Sequence, residues 1–381
     1  MRVPKLRFKN AAGKDFPDWN FVPMKEICKI NQGLQIPIAR RFSESGPNRF
    51  FYITNEFLRE GAKKKYFIEN PSLSVICSDE DVLMTRTGNT GKVVTDVSGA
   101  FHNNFFKINY DRSLVNKGFL VEFLSKKETQ ATILKLAGTS TIPDLNHSDF
   151  YAIHAPLPAL AEQQKIASFL SLADKKIYIL TQKHELLIHY KKGVMQKIFN
   201  QEIRFKDGGG KGYPAWSQCK FEDIFSIANS KELQIQSSKY EASGLVPIVD
   251  QSNKKIAGWS RSEIAYKNIP VTLFGDHTRI VKWIDFEFRP GADGVQILKT
   301  RANIDPKFSY YILSKVKLPN LGYSRHLKEL REVEFFIPSC INEQIQISNF
   351  ISSIDEKIDL VANQLDLTQQ YKQGLLQQMF I

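Results

Sequence analysis

Residues 162–199 read EQQKIASFLSLADKKIYILTQKHELLIHYKKGVMQKIF. Within them Ile166, Leu170, Ala173, Ile177, Leu180, His184, Leu187, Lys191, Val194 and Ile198 follow at alternating spacings of four and three, and eight of the ten are apolar. That is the seam of a helix burying one stripe against another helix. No proline interrupts it. Glu162 in the first turn and Lys197 in the last carry the signs that the helix dipole favours. His184 reads as a packing residue of the seam rather than a functional one.

The same pattern returns 181 residues later as Ile347, Ile351, Ile354, Ile358, Val361, Leu365, Thr368, Lys372, Leu375 and Met379. Glu162-Gln163 becomes Glu343-Gln344, Asp174 becomes Asp355, and Tyr190-Lys191 becomes Tyr371-Lys372. Constant register over nearly forty residues marks an internal repeat. The bland alternative, two unrelated surface helices, does not explain why the polar seam positions also coincide. The first helix, 160–199, has seven Lys/Arg against three Asp/Glu, and the second, 341–381, has two against five. Opposite charge favours pairing of the two over self-pairing.

A second echo runs at an offset of 197. Arg7-Phe8-Lys9 returns as Arg204-Phe205-Lys206, Phe16-Pro17 as Tyr213-Pro214, and Trp19 as Trp216. The chain is therefore an opening segment, a globular region and a long helix, then the same three parts again. Strand-like runs occur at 50–54, 82–85, 92–95 and 105–108, and a helical stretch at 119–136. The second globular region repeats that order with little identity: strands at 246–249, 271–274, 279–284 and 295–298, and a helix at 307–315. We divide the chain into a first domain at 1–157, a helix at 158–200, a second domain at 201–337 and a helix at 338–381. If the helices pair in register, connectivity makes them antiparallel. About forty residues at ~1.5 Å each then give a rod of roughly 60 Å with a globular region at each end.

The 381 residues carry a net charge of +12. The helices account for +4 and −3, which leaves +11 on the remainder. That excess points to an anionic partner, nucleic acid before a membrane surface. The four cysteines, Cys28, Cys77, Cys219 and Cys340, lack metal spacing and are too few for a disulfide scaffold, so a reduced cytoplasmic setting is expected. The opening MRVPKLRFKN has no apolar signal region, and no run of about 18 apolar residues predicts a membrane span.

No catalytic constellation stands out. Gly208-Gly209-Gly210-Lys211 does not continue as a phosphate loop, nor does Gly88-Asn89-Thr90-Gly91-Lys92, which reads as a turn between strands. Nucleophile-elbow, zinc-protease, methyltransferase and cofactor-glycine motifs are missing. No metal site is expected.

Pro156-Leu157-Pro158-Ala159-Leu160-Ala161-Glu162-Gln163-Gln164-Lys165-Ile166, its second copy from Ile337-Pro338 through Glu343-Gln344-Ile345, and the helix ends Gly193–Phe199 and Gly374–Phe380 carry a family resemblance. So do Phe16-Pro17-x-Trp19 and Tyr213-Pro214-x-Trp216. The chain resembles the specificity subunit of type I restriction–modification systems along its whole length. One departure is the extra residue between Pro338 and Glu343 relative to Pro158 and Glu162. The resemblance implies an α+β fold: two mixed α/β target-recognition domains separated by a two-helix antiparallel coiled coil, with an internal pseudo-two-fold repeat. It implies no catalysis and no cofactor in this chain. Partners would be double-stranded DNA, two modification subunits that methylate adenine with S-adenosylmethionine, and, in the full complex, two restriction subunits using ATP and Mg. Paired modules reading half-sites about 34–36 Å or multiples apart suit such an arrangement.

Base edges are read by Arg, Lys, Asn, Gln, Ser and Thr, and loops usually present them. In the first domain the candidates are Arg86, Thr87, Asn89, Thr90, Lys92, His102, Asn103, Asn104, Thr139, Ser140 and Thr141. In the second they are His277, Thr278, Arg279, Lys282, Ser324, Arg325 and His326. Lys63, Lys64 and Lys65 are candidates for phosphate contact. Two other readings stand beside this one: a stand-alone DNA-binding regulator of the same fold, and a coiled-coil adaptor whose heads bind protein.

Overall fold

The structure, a computed structural model, describes residues 4–59, 61, 64–138, 141–292, 294–319, 322 and 324–380. The first half contains β1 (Asn20–Pro23), α1 (Met24–Ile27), β2 (Cys28–Gln32), β3 (Arg49–Ile53), β4 (Phe67–Glu69), β5 (Ile76–Cys77), β6 (Val82–Thr85), β7 (Val93–Val94), β8 (Gly99–Phe101), β9 (Phe105–Tyr110), α2 (Lys117–Ser125), α3 (Lys127–Leu136), α4 (His147–Ala152), β10 (His154–Leu157) and α5 (Leu160–Phe199). The second half contains β11 (Trp216–Cys219), α6 (Phe221–Ile224), β12 (Phe225–Ile227), β13 (Val246–Val249), β14 (Gly258–Ser260), β15 (Val271–Gly275), β16 (Val281–Ile284), β17 (Arg289–Pro290), β18 (Val295–Thr300), α7 (Pro306–Lys315), α8 (Leu327–Arg331), β19 (Phe335–Pro338) and α9 (Ile341–Met379).

The two halves share one topology. An antiparallel sheet runs β2-β9-β6-β7 in the first and β12-β18-β15-β16 in the second. A mixed sheet runs β4-β3-β8-β5 in the first and β14-β13-β17 in the second, with β3·β8 and β13·β17 both parallel. Two-stranded clasps, β1·β10 and β11·β19, join the start of each globular region to its end. The fully buried β6 (Val-Leu-Met-Thr) and β15 (Val-Thr-Leu-Phe-Gly) are the central strands of the first sheet type.

The helical stretch expected at 119–136 is two helices. Lys126, with φ −59° and ψ 137°, breaks it. Asn116 caps α2 by accepting from the Phe119 N–H, and the Gln130 amide takes up the Leu124 carbonyl left open at the break.

Compactness divides the chain through both long helices, into a first unit of Met1–Thr181 with Asn363–Ile381 and a second of Gln182–Ala362. Each globular region therefore takes in half of each helix. In the first unit Ile166 and Leu170 share a core with Leu375, Met379 and Phe380, while Lys372 pairs with Asp174 at 2.6 Å. In the second, Ile198 and Phe199 share a core with Ile347 and Ile351, and Lys191 pairs with Asp355 at 2.5 Å. In both units the order of these contacts makes the α5 and α9 segments run in opposite directions. Lys191 and Lys372 are repeat mates, as are Asp174 and Asp355, so the two ion pairs are the same pair made twice.

Along the seam Ile166, Leu170, Leu180, Ile198, Ile347, Ile351, Ile354, Val361, Leu375 and Met379 are buried, and Ile177, Leu187, Val194, Ile358 and Leu365 are half-buried.

The polar residues at the helix starts explain why the repeat is tight there. Glu162 is fully buried. It accepts from Arg7 Nε (2.9 Å) and Nη2 (2.8 Å) and from Trp19 Nε1 (3.0 Å). Glu343, equally buried, accepts from Arg204 Nε (3.1 Å) and Nη2 (2.7 Å). Gln163 and Gln344 each accept from the backbone N–H of a helix-capping residue, Asn116 and Asp305, and donate to a proline carbonyl before their own helix. A buried carboxylate or amide stays only where such partners surround it.

The Gly208–Lys211 segment is a turn organised by Asp207, whose carboxylate accepts from the Gly209 and Lys211 N–H groups. Asn10 does the same for Ala12 and Lys14 in the first copy.

Candidate nucleic-acid interface

In each unit the residues in question sit on loops at one end of the two sheets. In the first, the loops after β2, β3, β6 and β8 converge. The Leu34 N–H donates to Phe101, and the Asn103 N–H donates to Leu34. The Arg86 N–H donates to Asn104, and the Leu145 N–H donates to Arg86. Asn55 donates its amide to the Thr87 carbonyl at 2.9 Å. Gly33 lies so close to the Phe101 and His102 backbone that a Cβ there would stand 2.2 Å from a carbonyl oxygen. These backbone ties turn four loops into one platform.

The platform brings together Arg86, Thr87, Asn89, His102, Asn103 and Asn104. Asn89 is exposed, with φ 64° in the tight turn before β7. Asn103 donates to Gln35 Oε1 at 3.2 Å. His102 is half-buried. Burial, and then the charge of Arg41, hold its imidazole below the usual histidine range, so the ring is neutral and accepts from the Asn104 N–H. The Arg86 guanidinium is already engaged, bidentate on Asp144 at 3.0 and 2.6 Å and 5.7 Å from the Phe106 ring centroid. Lys92, Lys64, Lys65 and Thr141 are exposed. Thr90 is a correction: it is buried, and its hydroxyl is spent on the Pro143 carbonyl at 2.6 Å. Lys63, Thr139 and Ser140 lie outside the described residues.

The second unit builds the equivalent platform from the loops after β12, β13, β15 and β17. The Ile235 N–H donates to Pro290, the Ala292 N–H to Ile235, and the His326 N–H to Asp276, each matching a tie in the first unit. Gln251 takes the place of Asn55: it accepts from the His277 N–H through Oε1 and from the Thr278 hydroxyl through its carbonyl. His277 is half-buried, Thr278 and Arg325 are exposed, and Ser324 is half-buried. Arg279 has φ 61° and donates to the Leu318 carbonyl at 3.2 Å.

Two candidates there are corrected. His326 is fully buried; by the hydrogen-bond ties it stands where the first unit has the buried Leu145, and its Nδ1 faces the Asp276 carbonyl at 2.9 Å. Lys282 is 8% exposed and stands opposite Leu273, as Val94 stands opposite Leu83. Its ammonium donates to the Asp250 (2.7 Å) and Lys254 (2.6 Å) carbonyls, and burial holds its pKa below the ordinary lysine value. Both are interior supports of the platform rather than parts of its surface.

Sequence reasoning missed the amide residues that tie the loops, Gln32, Gln35 and Asn55 in the first unit and Asn229 and Gln251 in the second, as well as the exposed Gln236. They lie at strand ends or in the loops beyond them, where an amide is indistinguishable from an ordinary turn residue. Among the described residues no group of His, Cys, Asp and Glu could hold a metal ion. No helix among the described residues is long and apolar enough to cross a membrane.

The chain is a doubled α+β domain, each copy completed by halves of two long helices and presenting a polar loop platform. Residues 17–188 match the family model described as Type I restriction modification DNA specificity domain. The type I restriction enzyme MjaVIII specificity subunit of Methanocaldococcus jannaschii is 27% identical over 232 residues, 59% of this chain and 53% of that protein. The putative MjaX specificity subunit of the same organism is 23% identical over 68% of this chain and 65% of its own length. The chain thus spans about half to two thirds of these relatives. The crystal structure of a type I restriction–modification S subunit from M. genitalium matches with a TM-score of 0.68 at 17% identity, over 100% of this chain and 99% of that one. The chain is thus similar in sequence to type I restriction enzyme specificity subunits, and it shares its fold with a solved S subunit.

Proposed function

We propose that this chain binds double-stranded DNA at a bipartite, asymmetric site, one half-site per domain, with the long helices as the spacer. It has no chemistry of its own. It directs partner modification subunits, which use S-adenosylmethionine, to methylate adenine, and restriction subunits with ATP and Mg to act on unmodified sites.

The observation that carries this reading is the repetition of strand order and backbone ties beneath loop ends that differ in side chains. One scaffold holds two unlike surfaces, as two unlike half-sites require. The excess of +11 outside the helices supplies phosphate attraction, which positions the protein without choosing sequence. Exposed Asn89, Thr278 and Arg325 have the groups that read base edges in the major groove.

Gel-shift titration of the full chain against duplex DNA over a series of salt concentrations tests it. Binding should weaken steeply with salt and show a sequence-selective component. A protein-binding adaptor would show neither. Co-purification with a methyltransferase separates the specificity subunit from a lone regulator, and mapping methylated adenines with and without the gene identifies the target.

A further inference from the structure

Gln35 and Gln236 occupy one position in the two units. Each directly follows the residue that forms an isolated parallel bridge into the loop before the last central strand, Leu34 with His102 and Ile235 with Gly291. On both sides that preceding residue is held by two backbone hydrogen bonds: 3.1 Å to Phe101 and 3.1 Å from Asn103 around Leu34, and 3.0 Å to Pro290 and 2.7 Å from Ala292 around Ile235. A short 3-10 turn follows in each, Ile38–Arg40 and Ser237–Lys239. Both glutamines are exposed.

Identity between the globular regions is otherwise sparse, and where it falls on residues such as Ile27 and Ile224 or Leu83 and Leu273, burial accounts for it. Burial does not account for an exposed glutamine. A rigid backbone, an exposed amide and a place on the loop platform are what a base-reading residue needs.

We infer that Gln35 and Gln236 are specificity-determining residues that each read an adenine, one in each half-site, by pairing their amide with N6 and N7 in the major groove. The inference rests on the DNA-recognition reading above and adds to it the residue and the base. Asn103 acts as a positioning residue on one side only. Its amide holds Gln35 Oε1 at 3.2 Å, which leaves the second lone pair for the adenine amino group and the Gln35 amide N–H for N7. Ala292 occupies the Asn103 place in the second unit and cannot do this, so discrimination is sharper in the first half-site.

The test selects bound duplexes from a randomised library with the full chain, for wild type, Gln35→Ala, Gln236→Ala and Gln35→Glu. Each alanine variant should flatten adenine preference at one position in one half-site by about tenfold or more and leave the other half-site intact. Gln35→Glu, which has lost its donor, should move the preference toward cytosine at that position. Unchanged preferences in both alanine variants, or a uniform loss across all sequences, would overturn the inference. A wild-type chain that selects no sequence at all would instead overturn the recognition reading.

Discussion

Removing Arg7 should open the first unit selectively. The Glu162 carboxylate is fully inaccessible and held by three N–H donors at 2.8 to 3.0 Å, two of them from Arg7. Arg7→Ala leaves Trp19 Nε1 as the carboxylate's single remaining side-chain donor. Stranding a buried charge costs about 3–5 kcal/mol, or roughly a hundredfold to several thousandfold in the opening equilibrium, at a factor of ten per ~1.4 kcal/mol. A chain with two compact units does not unfold as one cooperative transition, so the assay is native-state hydrogen exchange resolved by peptide. Protection should fall across β1, β10, α2 and the first turns of α5, while peptides of the second unit keep theirs. Arg204→Ala should give the mirror result in the second unit. A loss below about 1 kcal/mol, or one shared equally by both units, would refute the view that each helix start is latched to its own domain by a buried pair.

His326→Leu, which restores the residue type found at Leu145, should change stability by no more than about 1 kcal/mol, because the orphaned Nε2 disappears with the ring; thermal melting and DNA selection check it, and lost specificity in a stable variant would return His326 to the interface. Glu122 lies 2.9 Å from Lys372, and burial raises its pKa against the opposing pull of that lysine. Its contribution is therefore complete below the ordinary glutamate pKa and is lost as pH rises through the raised folded value, so Glu122→Gln should flatten the pH dependence of first-unit stability just above the carboxylate range. Arg279→Ala should reduce binding to the selected sequence more than binding to random duplex; equal loss on both would make it a phosphate contact. Lys64→Ala with Lys65→Ala should weaken both equally and shallow the salt slope by up to about 2.

The long helices were fully legible because their signal is a period, and a period of three and four survives wherever one stripe is buried. The central strands β6, β9, β13, β15 and β18 were legible for another reason, as short runs of β-prone residues bounded by turn residues. The clasps were not. Phe21-Val22-Pro23 and His154-Ala155-Pro156 contain prolines and are too short to alternate, and only tertiary pairing makes them strands. Surface assignment failed at His326, Lys282 and Thr90 because a polar residue type says nothing about whether the chain buries it. In the fold, carbonyl acceptors supplied by distant loops decide the matter, and those lie 53 residues away for Thr90 and 32 for Lys282. The amide residues of the platform were invisible for a related reason. Their meaning comes from correspondence between the two domains, which identity too low for direct comparison conceals until the ladders are matched.

The clasps β1·β10 and β11·β19 have a consequence for how such a chain tolerates change in length. Because each domain's first and last strands lie side by side, residues added or lost between them leave the two endpoints where they were. The path from the start of β12 to Ile235, four residues longer than that from the start of β2 to Leu34, and the longer first domain as a whole are absorbed this way. Neither alters where α5 or α9 begins. Insertions and deletions can thus reshape the loop platform while the two long helices keep their starting points.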